Sequence, residues 1–134
     1  MNIKLKNLPV FAMLLLAMSC QKKDNSPADA SKVTVVFASP VDAQTVHKGD
    51  TVNILADVSY YAEMSGIAVE IIDTAADSQL YEDDADTHTN HFSFQKQWID
   101  NLDDSTTLQV KILVFMTNNT TIPAERSIYI KSLP

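Results

Sequence analysis

The spacing of apolar residues constrains the fold of this chain more than any other feature of its 134 residues. In the segment 106–116 (TTLQVKILVFM), Val110, Ile112 and Val114 fall on one face of an extended chain and are expected to be buried. The residues expected on the opposite face are Gln109, Lys111 and Leu113. A period of two is typical of a half-buried β-strand, and helical spacing is not sustained anywhere after Cys20. The chain is therefore predicted to be all-β.

Further segments show the same period of two and are separated by residues typical of turns. The expected strands are 32–37, 51–60, 67–72, 91–98 and 124–131, with a short edge strand at 79–81. Turns are expected at 47–50 and 65–66, and Pro40 is expected to end the first strand because proline cannot donate to a ladder. Six or seven strands in about 100 residues predict an antiparallel β-sandwich.

One of these segments conflicts with its own pattern. Lys96 has the same parity as Phe92, Phe94 and Trp98, which would place a charge on the buried face of the strand. A β-bulge or a strand end near Gln95 would relieve the conflict. We therefore expect an irregularity at this point.

Two short motifs resemble the opening of bacterial Ig-like and fibronectin-III-like modules. Residues 38–42 (ASPVD) match a turn of the form SP-x-[DN], and residues 48–52 (KGDTV) match the G-[DE]-x-V entry into the second strand. The resemblance covers about residues 33–131 and implies an Ig-like β-sandwich of six to seven strands. By analogy it also implies binding or spacing rather than catalysis. The two sheet-bridging cysteines of antibody domains are absent from the sequence, so the apolar core must provide the stability.

The first nineteen residues are predicted to be a signal peptide. Lys4 and Lys6 precede the apolar run 9–18, which is too short to span a bilayer as a helix. Residues 16–20 (LAMSC) resemble a bacterial lipobox, which implies a diacylglycerol on the thiol of Cys20 and cleavage before it. The alternative is plain export, because Ala-Met-Ser also fits an ordinary cleavage site. Two or three acyl chains would give stable anchoring in the membrane.

Residues 20–31 are predicted to be a flexible tether, which leaves 32–134 for the folded domain. The segment 21–27 (QKKDNSP) resembles the charged tract that follows the lipidated cysteine of Bacteroidetes-type surface lipoproteins. This resemblance implies a protein anchored in the outer membrane and displayed at the cell surface. The alternative is a tether with no sorting role.

Composition and charge exclude several classes of function. The 10 basic and 17 acidic residues give a net charge of −7, which disfavours nucleic acid as a partner. Two glycines cannot form a dinucleotide-binding loop, and neither stands where a phosphate-binding loop would need it. A single cysteine excludes an internal disulfide and a cysteine-based zinc site. No Gly-x-Ser-x-Gly elbow is present, and lipidation of Cys20 leaves no free thiol. Two acids can hydrolyse a glycoside, but a sandwich of about 100 residues has little depth for the cleft that this requires. The chain is therefore predicted to be no enzyme and to carry no cofactor.

Acidic residues dominate the segment 63–104, where eleven of them face a single base. Within it Asp86, His88 and His91 are candidate ligands of a divalent metal, because imidazole suits zinc, copper or nickel and carboxylates suit calcium. The alternative is a solvated acidic segment that keeps a sheet edge soluble. In either case the five residues are expected on an exposed, mobile connection between strands: Asp83, Asp84, Asp86, His88 and His91.

Two tyrosines are candidate contacts for a ligand. Tyr61 precedes a predicted loop and Tyr81 flanks the acidic segment, and exposed tyrosines stack well on sugars and partner proteins. The alternative for both is packing at the edge of the core. Together these observations predict a non-enzymatic envelope lipoprotein that binds a protein or glycan, or has a structural role. Divalent-metal binding by the segment 82–91 is the alternative function.

Overall fold

The computed structural model describes residues 27–117 and 119–134, in which two β-sheets pack face to face. A short 3₁₀ turn, Ala30–Lys32, precedes the first strand. The strands of this part of the chain are β1 (Thr34–Ser39), β2 (Thr45–His47), β3 (Thr51–Ser59), β4 (Met64–Asp73), β5 (Ser78–Asp86), β6 (His91–Ile99), β7 (Thr106–Met116) and β8 (Asn119–Leu133). No helix among the described residues is long and apolar enough to cross a membrane.

The strand order confirms the predicted Ig-like β-sandwich. One sheet has the order β1-β3-β6, and the other has the order β2-β8-β7-β4-β5. All neighbours pair antiparallel except β2 and β8, which run parallel from Thr45 opposite Lys131 to His47 opposite Leu133. The described residues thus form eight strands rather than six or seven. The additional strand, β2, has three residues, too few for a period of two to be visible in the sequence.

The core is built from alternating strand residues, among them the three of β7 that the sequence predicted. Four residues of β3, three of β4 and three of β7 point between the sheets, each at most 4% exposed: Val52, Ile54, Ala56, Val58, Ile67, Val69, Ile71, Val110, Ile112 and Val114. On the other face of β7, Leu113 is nearly buried as well. The reason is that β7 lies inside the five-stranded sheet, with β4 and β8 on its two sides.

Several expected strand bounds are wrong, and β8, expected at 124–131, spans Asn119–Leu133. β4 does not begin after a break at 65–66 but runs through Gly66, where its register with β7 shifts between Met64 and Gly66. The glycine therefore marks a bulge inside a strand rather than a turn. β5 is not a three-residue segment but extends over nine residues, because it pairs with β4 from Asp73 opposite Ser78 to Gly66 opposite Asp86. β7 spans Thr106–Met116 as expected, and β1 ends at Ser39, directly before Pro40.

The irregularity expected near Gln95 is also wrong. β6 pairs with β3 without a shift, from Thr51 opposite Ile99 to Ser59 opposite His91. Lys96 therefore keeps its inward parity, and its side chain lies at the edge between the two sheets. An ion pair with Asp83, rather than a bulge, accommodates the charge of Lys96.

Candidate functional site

The acidic segment forms strand rather than a mobile connection, which corrects the expectation from the sequence. Asp83, Asp84 and Asp86 lie on β5, and His91 is the first residue of β6. Only the residues 87–90 connect the two strands. The backbone pairing of β5 with the apolar strand β4 outweighs the weak strand propensity of aspartate, as tertiary context often does. Because side chains alternate along a strand, the acids of β5 divide between the two faces of the sheet.

The inward-facing acid is Asp83, and it joins the edges of the two sheets. Lys96 Nζ lies 2.8 Å from Asp83 Oδ1, and the hydroxyl of Tyr81 donates to Asp83 Oδ2 over 3.0 Å. The hydrogen bond from Lys96 lowers the pKa of Asp83, against the effect of burial, and those from Tyr81 and the N–H of Asp84 lower it further. Burial, together with the hydrogen bond to Asp83 and its charge, raises the pKa of Tyr81 to about 12. Lys96 Nζ also lies 5.9 Å from the ring centroid of Phe94.

The position of Tyr81 bears on its predicted role in binding. Its ring packs against the core, and its hydroxyl is engaged by Asp83. The structure thus places Tyr81 at the inner edge of the sandwich, and its role in binding a ligand stays a prediction.

The outward-facing acids of β5 line a depression on the outer face of the five-stranded sheet. In register across β5, β4 and β7, one row contains Asp86, Gly66 and Phe115, and the next contains Asp84, Ala68 and Leu113. Gly66 and Ala68 are too small to fill the space between their neighbours. The result is a depression of about 370 Å³, lined by the carboxylates of Glu82, Asp84 and Asp86 on one side and by Phe115 on the other. We call it the β4 trough.

The row beyond Ala68 carries larger side chains. It contains Glu82, Glu70 and Lys111, and Lys111 Nζ lies 2.6 Å from Glu70 Oε2. Lys111 is therefore paired with Glu70 and not with the acids of β5. Glu82 accepts a hydrogen bond of 2.7 Å from Gln79 Nε2. Among the residues that the structure describes, Asp84 and Asp86 have no ion-pair partner, so the trough keeps a net negative charge.

A second depression of about 340 Å³ lies at the opposite edge of the same sheet, beside β2. Its lining includes both Asp42 and Lys131, so it carries charges of both signs. Asp42 Oδ1 accepts the N–H of Tyr129 over 2.8 Å, and the N–H of Ala43 donates to the carbonyl of Tyr129 over 2.7 Å. These hydrogen bonds hold the connection between β1 and β2 against the sheet. Asp42, which lines the depression, thus has a structural role.

The three candidate metal ligands are distributed over different elements. Asp86 lies on the outer face of the five-stranded sheet, whereas His91 begins a strand of the three-stranded sheet. His88, in the connection, is largely exposed, and its Nδ1 lies 3.4 Å from Glu63 Oε1. In residues 27–117 and 119–134, no group of three or more His, Cys, Asp or Glu side chains is placed to hold a metal ion. Metal binding remains a prediction, tested below.

Tyr61 lies where the chain enters the domain and is 46% exposed. Its hydroxyl donates to the carbonyl of Pro27 over 3.0 Å, and its ring centroid is 4.4 Å from that of Tyr60. The hydroxyl of Tyr60 in turn accepts the N–H of Asp29 over 3.0 Å. The last residues of the predicted tether, from Pro27 onward, thus contact the sandwich at this end. Cys20 lies outside the described residues.

Sequence reasoning missed the β4 trough. The sequence does contain one signal, because Gly66 and Ala68 occupy the outward parity of a strand whose inward residues are Ile67, Val69 and Ile71. Small outward residues leave a depression, but its binding properties depend on the neighbouring side chains, here Asp86 and Phe115. The pairing of Gly66 with Asp86 and with Phe115 depends on long-range register that a single sequence does not contain.

Comparison with known proteins gives likenesses of fold only. No family model and no curated protein matches this sequence. Among solved structures, the fibronectin(III)-like modules of Clostridium thermocellum CbhA match with a TM-score of 0.48 and 17% identity, over 75% of this chain and 96% of that one. The PapD-like domain 7 of human CEP192 matches with a TM-score of 0.43 and 6% identity, over 78% and 87%. At these scores neither likeness adds to what the sheet topology already establishes.

Proposed function

We propose that this chain is a non-enzymatic lipoprotein of the cell envelope, anchored in the outer membrane through Cys20, whose Ig-like sandwich is a binding module. An Ig-like fold suggests a structural or binding role, although this is a fold-level analogy. The β4 trough is the observation that favours binding. It is an open depression on an exposed sheet face, and it combines an apolar wall with two carboxylates that lack an ion-pair partner among the described residues.

The geometry of the chain supports an anchored arrangement. Six residues lie between Cys20 and Pro27, and the seven steps from one to the other span at most about 25 Å. The chain meets the sandwich at the end that carries Tyr60 and Tyr61. Lipidation of Cys20 would therefore hold this end near the bilayer. The opposite end, which includes Gly49 and the turn 74–77, would point away from the membrane.

Metabolic labelling with a palmitate analogue tests the anchor. The full chain and its Cys20→Ala variant are expressed in a bacterium that processes lipoproteins, and membranes are separated from soluble fractions. We expect label and membrane association for the unchanged chain and for a Ser19→Ala control, which keeps a small residue before the cysteine. Both should be lost in Cys20→Ala. A Cys20→Ala protein that stays in membranes after signal cleavage would contradict the proposal.

Protease treatment of intact cells tests surface display. The full chain should be degraded by an external protease while a periplasmic marker in the same cells stays intact. Degradation only after the outer membrane has been permeabilised would place the lipoprotein in the periplasm instead.

A further inference from the structure

We propose that the β4 trough binds an extended, basic segment of a partner protein, with an arginine side chain of that segment lying over Gly66 and Ala68. The inference rests on the proposed binding role and specifies the chemistry of the partner. Three features of the trough lead to it: its shape, its charge and its position beside a sheet edge.

The shape of the trough fits a long, narrow side chain. An ideal Cβ built on Gly66 would lie 3.6 Å from the carbonyl oxygen of Ala85 and 3.9 Å from Cδ2 of Phe115, both ordinary van der Waals distances, so the floor can hold a carbon beside Phe115. Phe115 offers an aromatic surface along one side. A guanidinium group stacks on aromatic rings, and its aliphatic stem covers apolar surface.

The charge of the trough selects a cation. Asp84 and Asp86 face outward from β5, and the nearest base on the same face, Lys111, is paired with Glu70. The inward lysine, Lys96, is paired with Asp83 on the other side of the sheet. A partner's guanidinium would therefore meet two carboxylates whose charge the described part of the chain does not compensate. Carboxylates bind guanidinium in a bidentate geometry, which favours arginine over lysine.

The position of the trough favours a partner in extended conformation. β5 is the last strand of its sheet, so one side of its backbone has no strand partner in that sheet. The outward acids occupy every second residue of β5, at Glu82, Asp84 and Asp86, with a repeat of about 7 Å. An extended segment with a basic residue at every second position has the same repeat. Such a segment can lie along β5 and place one basic side chain beside each acid.

Fluorescence anisotropy with synthetic peptides tests this inference on the full chain, purified in a non-ionic detergent. The first probe is a labelled nine-residue peptide in which arginine alternates with threonine. The second has the same composition with its arginines consecutive. We expect the alternating peptide to bind more tightly than the block peptide, and added salt to weaken the binding because the contact is partly exposed.

Two variants of the trough and one control variant complete the test. Asp84→Asn/Asp86→Asn should weaken binding of the alternating peptide about tenfold. The loss of two exposed ion pairs costs about 1.4 kcal/mol of binding free energy in total, which corresponds to a factor of ten in Kd. Gly66→Val should also weaken it, because the new side chain occupies the floor. Asp77→Asn/Asp104→Asn removes the same charge from two exposed acids outside the trough and should leave binding unchanged.

Several outcomes would overturn the inference. Equal binding of the two peptides, or equal weakening in the trough variant and in the control variant, would mean that only net charge attracts the peptide. Absence of binding by the unchanged chain up to about 1 mM peptide would overturn it outright. None of these peptide results affects the labelling experiment with Cys20→Ala. A failure of the lipoprotein proposal and a failure of the peptide-binding inference can therefore be distinguished. The melting temperature of each variant shows whether it is folded.

Discussion

Lys96 on β6 and Asp83 on β5 form an ion pair of 2.8 Å that joins the edge strands of the two sheets. The pair lies on the inward face of both strands, where the sandwich opens to solvent along one side. An inward charge at a sheet edge also discourages pairing with another strand, because its desolvation would be costly. The same contact thus closes the side of the sandwich and protects β6 from edge-to-edge association.

This ion pair makes the stability of the domain depend on pH in a defined direction. In the folded chain the hydrogen bond from Lys96 lowers the pKa of Asp83 below the ordinary value of an aspartate, so the unfolded state binds the proton more readily. The pair therefore stabilises the fold at pH values above about 4 and loses its effect as the pH falls through the lower, folded value.

Lys96→Met should reduce this acid sensitivity, because it removes the ammonium and keeps an apolar stem of similar length. We expect the melting temperature of the variant to fall less between pH 5 and pH 2 than that of the unchanged chain. Lys131→Met is the control, since it removes a lysine charge that forms no ion pair among the described residues and should leave the pH profile unchanged. An unchanged pH profile in Lys96→Met would show that Asp83 does not depend on Lys96.

The core prediction concerns Ile112, which is fully buried on β7. Ile112→Ala should lower the free energy of unfolding by about 2–5 kcal/mol, because it combines lost apolar burial with a cavity in a packed interior. Gln109→Ala on the opposite face removes a single exposed hydrogen bond to Ser127 and should cost less. Denaturant unfolding measures both variants. A midpoint for Ile112→Ala equal to that of the unchanged chain would contradict the register described above.

The core strands could be predicted from the sequence and β5 could not. The difference lies in what makes each segment extended. Alternation in β3 and β7 is dictated by burial against the other sheet, so the residues themselves display it. The strand character of Asp83, Asp84 and Asp86 is dictated by a neighbour instead. These residues have weak strand propensity, and they are extended because β4 supplies a hydrogen-bonding partner.

The candidate site follows the same rule. That Gly66 and Ala68 are small can be read from the sequence, but their proximity to Phe115 cannot, since β4 and β7 are separated by more than thirty residues. The role of Lys96 could not be predicted from the sequence either. Its parity signalled a conflict, but the partner that resolves it, Asp83, becomes evident only when the two sheets are stacked.

A buried carboxylate at the far end of the sandwich provides a third prediction. Asp100 is fully buried, and its Oδ2 accepts the hydroxyl of Ser132 over 2.5 Å while its Oδ1 accepts the N–H of Leu102 over 3.0 Å. Ser132→Ala should cost about 1–3 kcal/mol of unfolding free energy, because it leaves one carboxylate oxygen buried without this donor. Ser127→Ala, on an exposed position of the same strand, is the control. Equal stability of the two variants would mean that water replaces the Ser132 hydroxyl.

The last prediction concerns metal binding by Asp86, His88 and His91. The first and third of these residues belong to strands of different sheets, and His88 is directed toward Glu63, so joint ligation would require the connection 87–90 to rearrange. We therefore expect zinc, copper or calcium to leave the melting temperature of the chain within experimental error. A real site would stabilise the folded state by about 2.7 kcal/mol at a metal concentration one hundred times the dissociation constant. His88→Ala and His91→Ala would then each abolish that gain, whereas His47→Ala, at the end of β2, would not. A metal-dependent rise that is lost in the first two variants alone would establish divalent-metal binding in place of a solvated acidic edge.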